Sequence, residues 1–226
     1  MSWFQLDPES IAKRCAGNVL VPTLGVSLRR GMVGFTVVSV AGFAPWVLAG
    51  QWIHQHVGEA GLYAVCAAVF IGLSGPLLHR LIIGAGSLVR FYKLFGVGFA
   101  AYSIGWIVGW MALRGNFGSV VGLLVGTVAM GWIFTRAFDA GKEMLKVMTA
   151  LFVLNALGYF IGGWVEGSVG RLNELSLPGF SLEKSACRAL GKILWGVCYG
   201  VGFGAGLGLA FYFCQGRVRA LLAKTK

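Results

Sequence analysis

The chain has 226 residues, of which 57% are hydrophobic and only 12% charged, and its formal net charge is +11. Soluble domains carry about 25% charged residues, so this chain lacks the polar side chains needed to cover a surface in water. The composition therefore excludes an ordinary soluble domain and predicts an all-α, polytopic membrane protein.

The first 30 residues predict an interfacial segment ahead of the membrane spans. Asp7 is placed to cap a short helix that has Pro8 at its first position. Trp3 and Phe4 precede this helix and would rest among lipid headgroups, which favours an amphipathic helix lying flat in the interface. A solvated tail is the alternative.

Six later segments contain no Asp, Glu, Lys, Arg or His, and each is close to the roughly 20 apolar residues that a helix needs to cross the hydrocarbon core. Each segment therefore predicts one crossing. The whole chain, 1–226, is expected to be a single membrane domain with an outer loop at 166–192. The predicted spans are 31–53, 60–78, 94–113, 115–135, 147–165 and 193–216.

The basic residues predict the orientation of these spans. Six crossings place both termini on one side, and fourteen of the nineteen Lys and Arg residues fall on that side. By the positive-inside rule it faces the cytoplasm, or the matrix or stroma, which indicates a bacterial or organellar inner membrane. Tryptophans near the opposite ends of the spans predict an interfacial aromatic belt; they are Trp46, Trp52, Trp106, Trp110, Trp164 and Trp195.

In each even-numbered span, small residues recur at every fourth position and so share one face of the helix. Such stripes let backbones come close, and close packing drives helix association in lipid. We therefore expect three hairpins, each formed by an odd span and the striped even span after it. Packing within the chain, a seam between two copies and the lining of a conduction path are all open roles for the stripes. Their members are Ala60, Ala64, Ala68 and Gly72; Gly118, Gly122 and Gly126; and Gly196, Gly200, Gly204 and Gly208.

Ionisable side chains are missing from the six spans, since Asp, Glu, Lys, Arg and His all lie between them. Ion-coupled transport and intramembrane hydrolysis need such groups near the middle of the membrane, so neither is expected. The sequence predicts no enzyme, no catalytic residue, no metal site and no bound cofactor.

Ser39, Ser103, Thr127 and Asn155 are predicted to lie at mid-membrane depth, with Tyr102 and Tyr159 close by. Four of these six are candidates for one polar group: Ser39, Tyr102, Ser103 and Asn155. The amide of Asn155 would be costly in hydrocarbon without a hydrogen-bond partner. These residues would either bond between helices or form the polar lining of a narrow site for an uncharged or weakly charged solute.

The sequence supports two functional hypotheses. The first is a non-enzymatic scaffold or accessory subunit of a membrane assembly, because the strongest patterns concern helix packing. The second is a channel or facilitator for a small uncharged or weakly charged solute. Expected partners are membrane lipids and either a second copy of the chain or another membrane protein. Nucleic acid is not expected, because the basic residues sit at helix ends.

Overall fold

The computed structural model describes residues 3–15, 20–172, 174–177 and 180–224. The helices are α1 (Pro8–Arg14), α2 (Leu24–Leu78), α3 (Ser87–Leu113), α4 (Gly115–Ala137), α5 (Met144–Val169), α6 (Lys184–Cys214) and α7 (Gly216–Lys224). Five of these helices, α2 to α6, are long and apolar enough to cross a membrane. The prediction of a helical chain with several apolar helices of membrane-spanning length is confirmed.

Helix α1 begins as predicted. The Asp7 carboxylate accepts a hydrogen bond from the Ser10 amide at 2.9 Å, and Pro8 is the first helical residue. Leu6 and Ile11 are fully buried against the bundle. The solvated-tail alternative is therefore wrong, because apolar side chains of this segment belong to the core.

Helix α2 is interrupted at Gly58, whose φ of +72° and ψ of −177° are not helical. A Cβ placed on Gly34 would stand 3.1 Å from the Leu77 carbonyl oxygen, and Gly42 lies against the Phe70 ring. Since 34 meets 77 and 42 meets 70, the two halves run in opposite directions from a turn at Gly58, a residue that tolerates positive φ. We call them arm one (24–57) and arm two (59–78).

The two ends of the described chain lie on the same face of the bundle. Helix α1 packs against α7, and the Glu9 carboxylate pairs with the Arg217 guanidinium at 3.4 Å. We call this end of the bundle the terminal face, and the end that carries Gly58 the opposite face.

Helix α6 packs between arm one and α5, and glycines make both contacts close. Gly204 lies directly against Gly31 of arm one, and a Cβ on Gly158 of α5 would stand 3.0 Å from the Gly202 Cα. Missing side chains thus let three backbones touch. The α6 stripe faces arm one at each of its members, Gly196, Gly200, Gly204 and Gly208.

The α4 stripe faces α3. A Cβ on Gly122 would stand 2.6 Å from the Trp106 carbonyl oxygen, and Gly105 and Gly109 of α3 meet α4 in return. The same close contact holds for all three members of the stripe, Gly118, Gly122 and Gly126. Helices α3 and α4 therefore pack side by side with little between their backbones.

The stripe on arm two does not pack within the described chain. Its members, Ala60, Ala64, Ala68 and Gly72, are all exposed, and no atom lies within 4 Å of a Cβ placed on Gly72. Arm two instead packs large, buried side chains against arm one. Leu78 lies against Gly34, and Phe70 lies against Gly42. The small residues at this contact belong to arm one. The expectation that the arm-two stripe packs against another helix of the chain is therefore wrong.

Helix boundaries differ from the predicted spans where charged residues occur. The predicted outer loop 166–192 is about half helical: α5 continues to Val169, α6 already begins at Lys184, and a β-hairpin of β1 (Glu174–Leu177) and β2 (Phe180–Glu183) joins them. Likewise α3 starts at Ser87, seven residues before its predicted span. Charged side chains end the hydrocarbon crossing but not the backbone hydrogen bonding, which continues into the interface.

A candidate ligand cavity

A cavity of about 650 Å³ lies between arm one, arm two, α3, α5 and α6, in the half of the bundle nearer the opposite face. Small-molecule sites usually have volumes of about 300 to 1,000 Å³. Half of the lining residues are Phe, Trp or Tyr; they are Phe43, Trp46, Tyr63, Phe70, Phe99, Tyr102, Trp106, Tyr159, Trp195 and Tyr199.

Helical spacing produces this aromatic wall. Phe99, Tyr102 and Trp106 recur at intervals of three and four on α3 and therefore share one face. Trp195 and Tyr199 share a face of α6 in the same way. The two faces meet where the hydroxyl oxygens of Tyr102 and Tyr199 are 3.1 Å apart.

The floor of the cavity is a layer of packed rings at mid-depth. The Phe70 and Phe99 rings stack with their centroids 5.7 Å apart. Closer to the terminal face, Phe35 and Phe203 are fully buried and pack edge to face at 4.8 Å. Because these rings fill the space between the helices, the cavity ends there and does not continue to the terminal face.

A buried hydrogen-bond network joins the cavity to α5. The Asn155 Nδ2 donates to the Tyr102 hydroxyl at 3.0 Å, and the hydroxyls of Tyr102 and Tyr199 share one hydrogen bond. The two tyrosines carry two phenolic hydrogens, and their mutual bond uses only one of them. The other has no acceptor among the described residues, so this pair of wall residues keeps a donor for a ligand.

Two indole donors of the wall residues lack a hydrogen-bond partner. The N–H groups of Trp106 and Trp195 are buried and have no acceptor within the described ranges of the chain, and behind the wall the Asn155 Oδ1 is a buried acceptor without a donor. A buried donor without an acceptor costs about 1 to 3 kcal/mol. An occupant that brings acceptor atoms would therefore suit this wall better than one that brings donors.

Charged groups are confined to the rim. His54 and Glu59 lie at the opposite face and are exposed, and Glu59 accepts a hydrogen bond from the Tyr63 hydroxyl at 3.3 Å. The other lining residues are aromatic, aliphatic, glycine, serine, cysteine or, at Gln51, glutamine. A charged ligand group would lose its hydration there without gaining a counter-charge.

The structure brings together three of the four polar residues from the sequence analysis. Tyr102 and Ser103 line the cavity, and Asn155 stands behind Tyr102 as its hydrogen-bond donor. Ser39 does not join them: it is fully buried in the contact between arm one and Gly200. Placing Ser39 in the same polar lining is wrong, because its side chain points to the helix contact and not to the cavity.

Sequence reasoning missed the aromatic character of the site. Trp46, Trp106 and Trp195 were expected in an interfacial belt, yet they line the cavity, while Trp52 and Trp164 are 63% and 72% exposed. The missed signal is the face that aromatic residues share on each of α3 and α6. A shared aromatic face indicates a ligand-binding site only when the neighbouring helices are known to leave a cavity beside it.

Comparison with protein-family models, curated proteins and solved structures finds no match to this chain.

Proposed function

We propose that the protein binds a lipophilic, uncharged molecule that carries hydrogen-bond acceptors, and that it does so in the aromatic cavity. The cavity itself carries this proposal, because it combines a volume of about 650 Å³ with aromatic walls and an unused phenolic hydrogen at Tyr102 or Tyr199. Binding sites for small molecules are typically apolar clefts with a few placed polar groups.

The wall chemistry favours a flat conjugated ring with carbonyl oxygens. Aromatic side chains stack on such a ring, and phenol and indole groups can donate to its oxygens. Membrane-soluble quinones have this chemistry. We take the quinone class as the ligand of this site, with no chemical conversion expected of the protein itself.

The topology that we propose has six crossings. Five uninterrupted crossings would separate α1 from α7, whereas Glu9 and Arg217 pair on one face. Counting the two arms of α2 as separate crossings supports an even number, with both termini on the basic side of a bacterial or organellar inner membrane. The cavity then opens away from the cytoplasm or matrix.

A channel fits this arrangement less well than a binding protein, because packed rings close the floor of the cavity. A scaffold or accessory subunit is a second candidate. The exposed small residues of arm two support it, since such a face accepts a helix of another copy or another protein. An Ala64→Leu variant should then reduce the size of the native complex in mild detergent without changing its melting temperature. An unchanged size would count against a seam on this face.

Tryptophan fluorescence tests ligand binding directly. Purified protein is titrated with a short-chain ubiquinone analogue, which quenches indole emission when it lies beside Trp46, Trp106 or Trp195. We expect saturable quenching in the native protein and about tenfold weaker binding in the Tyr102→Phe/Tyr199→Phe double variant, since both phenolic hydrogens are then absent.

A matched pair of substitutions provides the control. Ala67 lines the cavity and Ala64 is exposed on the same arm. Ala67→Phe should abolish saturable quenching by filling the cavity, whereas Ala64→Phe should preserve it. Linear quenching without saturation, or equal quenching in the two variants, would overturn the proposal because it would indicate partition into detergent.

A further inference from the structure

Two arginines on the terminal face are held by backbone carbonyl oxygens and form no ion pair within 4.0 Å among the described residues. Arg14 ends α1, and its guanidinium donates to the Gln5 carbonyl oxygen. Arg90 lies in the first turns of α3, and its guanidinium folds back to the Ala85 carbonyl oxygen. The Nε atoms of both arginines are buried and have no hydrogen-bond partner in the described part of the chain.

The two guanidiniums flank a glycine-rich turn that leads into α3. A Cβ on Gly84 would stand 3.0 Å from the Cys15 Sγ, and a Cβ on Gly86 would stand 3.3 Å from the Arg90 Nη2. Both glycines have positive φ, +94° and +65°. Burial raises the pKa of the Cys15 thiol, and the nearby charges of Arg14 and Arg90 oppose that rise. Both positive charges therefore act on the same small region.

The Asp7 carboxylate lies near enough to Arg14 for an electrostatic interaction, but neither arginine forms an ion pair within 4.0 Å with a described acidic residue. All eight Asp and Glu residues of the chain are among the described residues. The ion pairs within 4.0 Å among those residues join Glu9 and Asp139 to Arg217 and Glu143 to Lys146. Two partly buried like charges without a close ion-pair partner are unfavourable, because the more distant Asp7 compensates desolvation and mutual repulsion only in part.

The first turn of α3 adds to the positive potential. Gly86 caps this helix without a side-chain hydrogen bond, and its first turn has no acidic residue. The unpaired N–H groups there carry the positive end of the helix dipole toward the turn between the arginines. The arginine pair and this helix end would attract the same anion.

We propose that Arg14 and Arg90 bind the phosphate group of an anionic phospholipid at the terminal face. Guanidinium forks match phosphate oxygens, which lysine does not do in the same bidentate way. Apolar side chains next to Arg90 indicate a lipid, since Leu88 and Val89 are 40% and 62% exposed. The Lys93 Nζ lies 5.5 Å from the centre of the exposed Trp3 ring. Exposed tryptophan and lysine side chains are typical of the region where lipid headgroups lie.

Native mass spectrometry in detergent tests the site with phosphatidylglycerol, and phosphatidylcholine serves as the zwitterionic comparison. The native protein should retain one phosphatidylglycerol, and Arg14→Gln/Arg90→Gln should bind it about tenfold more weakly. The control Arg29→Gln/Lys142→Gln removes the same charge from two exposed residues of the terminal face. It should bind like the native protein.

Each alternative result would overturn a defined part of the proposal. Equal weakening in both double variants would mean that net charge, and not the arginine pair, attracts the lipid. Displacement of the lipid by equimolar inorganic phosphate would identify a free phosphate as the ligand. If the glutamine variant does not fold, Arg14→Lys/Arg90→Lys keeps the charge and should still weaken binding by losing the forks; unchanged binding in that variant would contradict the site.

Discussion

Gly31 and Gly204 lie face to face, so that a methyl group on either residue would overlap the carbonyl oxygen of the other. The contact is reciprocal and involves backbone on both sides, so neither helix can relieve an overlap by moving a side chain. It is the tightest point between arm one and α6.

The Gly204→Ala substitution should destabilise the protein by about 1 to 3 kcal/mol, which is the usual cost of overpacking. Gly96→Ala is the matched control, because nothing lies within 4 Å of a Cβ at that position of α3. The control should leave stability unchanged or raise it, since alanine favours helix. Unfolding in SDS followed by circular dichroism measures both. Equal effects of the two variants would contradict the glycine contact.

The Tyr102→Phe substitution should cost more stability than Tyr199→Phe. The first leaves the buried Asn155 amide without its acceptor, whereas the second leaves the Asn155–Tyr102 bond intact. We expect a cost of about 1 to 3 kcal/mol for the first and less for the second. Asn155→Leu in the Tyr102→Phe background should recover part of the loss, because it removes the stranded amide. The same SDS unfolding assay compares all four proteins.

Tyr92 satisfies a carbonyl that a proline leaves free. Pro76 has no N–H, so the Gly72 carbonyl loses its normal helical donor, and the Tyr92 hydroxyl donates to it at 2.5 Å. Tyr92→Phe should therefore destabilise the native protein by about 1 kcal/mol. In a Pro76→Ala background the helix supplies its own donor, and the same substitution should cost much less. A double-mutant cycle with no coupling would contradict this account.

Gln215 fastens the end of α6 to the loop before α3. Its amide nitrogen donates to the Leu81 carbonyl oxygen at 2.8 Å, and its amide oxygen accepts from the Ile83 amide at 2.8 Å. Gln215→Leu should cost about 3 kcal/mol, because both buried backbone groups lose their partner. Gln55→Leu, at an exposed position of arm one, should be nearly neutral. Thermal unfolding in detergent distinguishes the two.

The Asp7 cap predicts a pH dependence at the acidic end. Burial opposes ionisation, but hydrogen bonds from Ser10 outweigh it and hold the Asp7 pKa below its ordinary value of 3.8. A carboxyl group whose pKa is lowered by folding stabilises the fold at pH values above its ordinary pKa. This contribution is lost as the pH falls through the folded-state pKa. Native protein should therefore exceed Asp7→Ala in stability at pH 6, by about 1 kcal/mol for a lost cap, and this difference should shrink as the pH falls below 3.8. A pH-independent difference would contradict this.

The helices could be predicted from sequence because charge spacing and apolar length report the cost of crossing hydrocarbon. The stripes on α4 and α6 were expected to lie against neighbouring helices or another subunit, and the structure places Gly122 and Gly204 against α3 and arm one. The same pattern failed on arm two, since small residues show only that a close approach is allowed. Whether a neighbouring helix packs on the stripe depends on which face of the striped helix is turned toward the rest of the bundle.

The cavity could be predicted only in part. Tyr102, Ser103 and Asn155 were expected as a polar group, because a buried amide needs a partner. Two features could not be predicted: the hydrogen bond between the Tyr199 and Tyr102 hydroxyls, and the burial of Ser39 away from the cavity. Both depend on how each helix is rotated about its axis. Periodicity in these spans does not fix that rotation, because they are apolar on every side.

The position of α6 between arm one and α5 bears on the order in which the protein is made. Gly31 and Gly158 are synthesised before α6, yet each meets its contact only when α6 enters the membrane. The earlier helices must therefore wait in the bilayer with bare backbone faces unfilled. A ribosome-bound chain that stops before Lys184 is therefore expected to be a target for membrane proteases, and insertion of α6 is the step that ends this exposure.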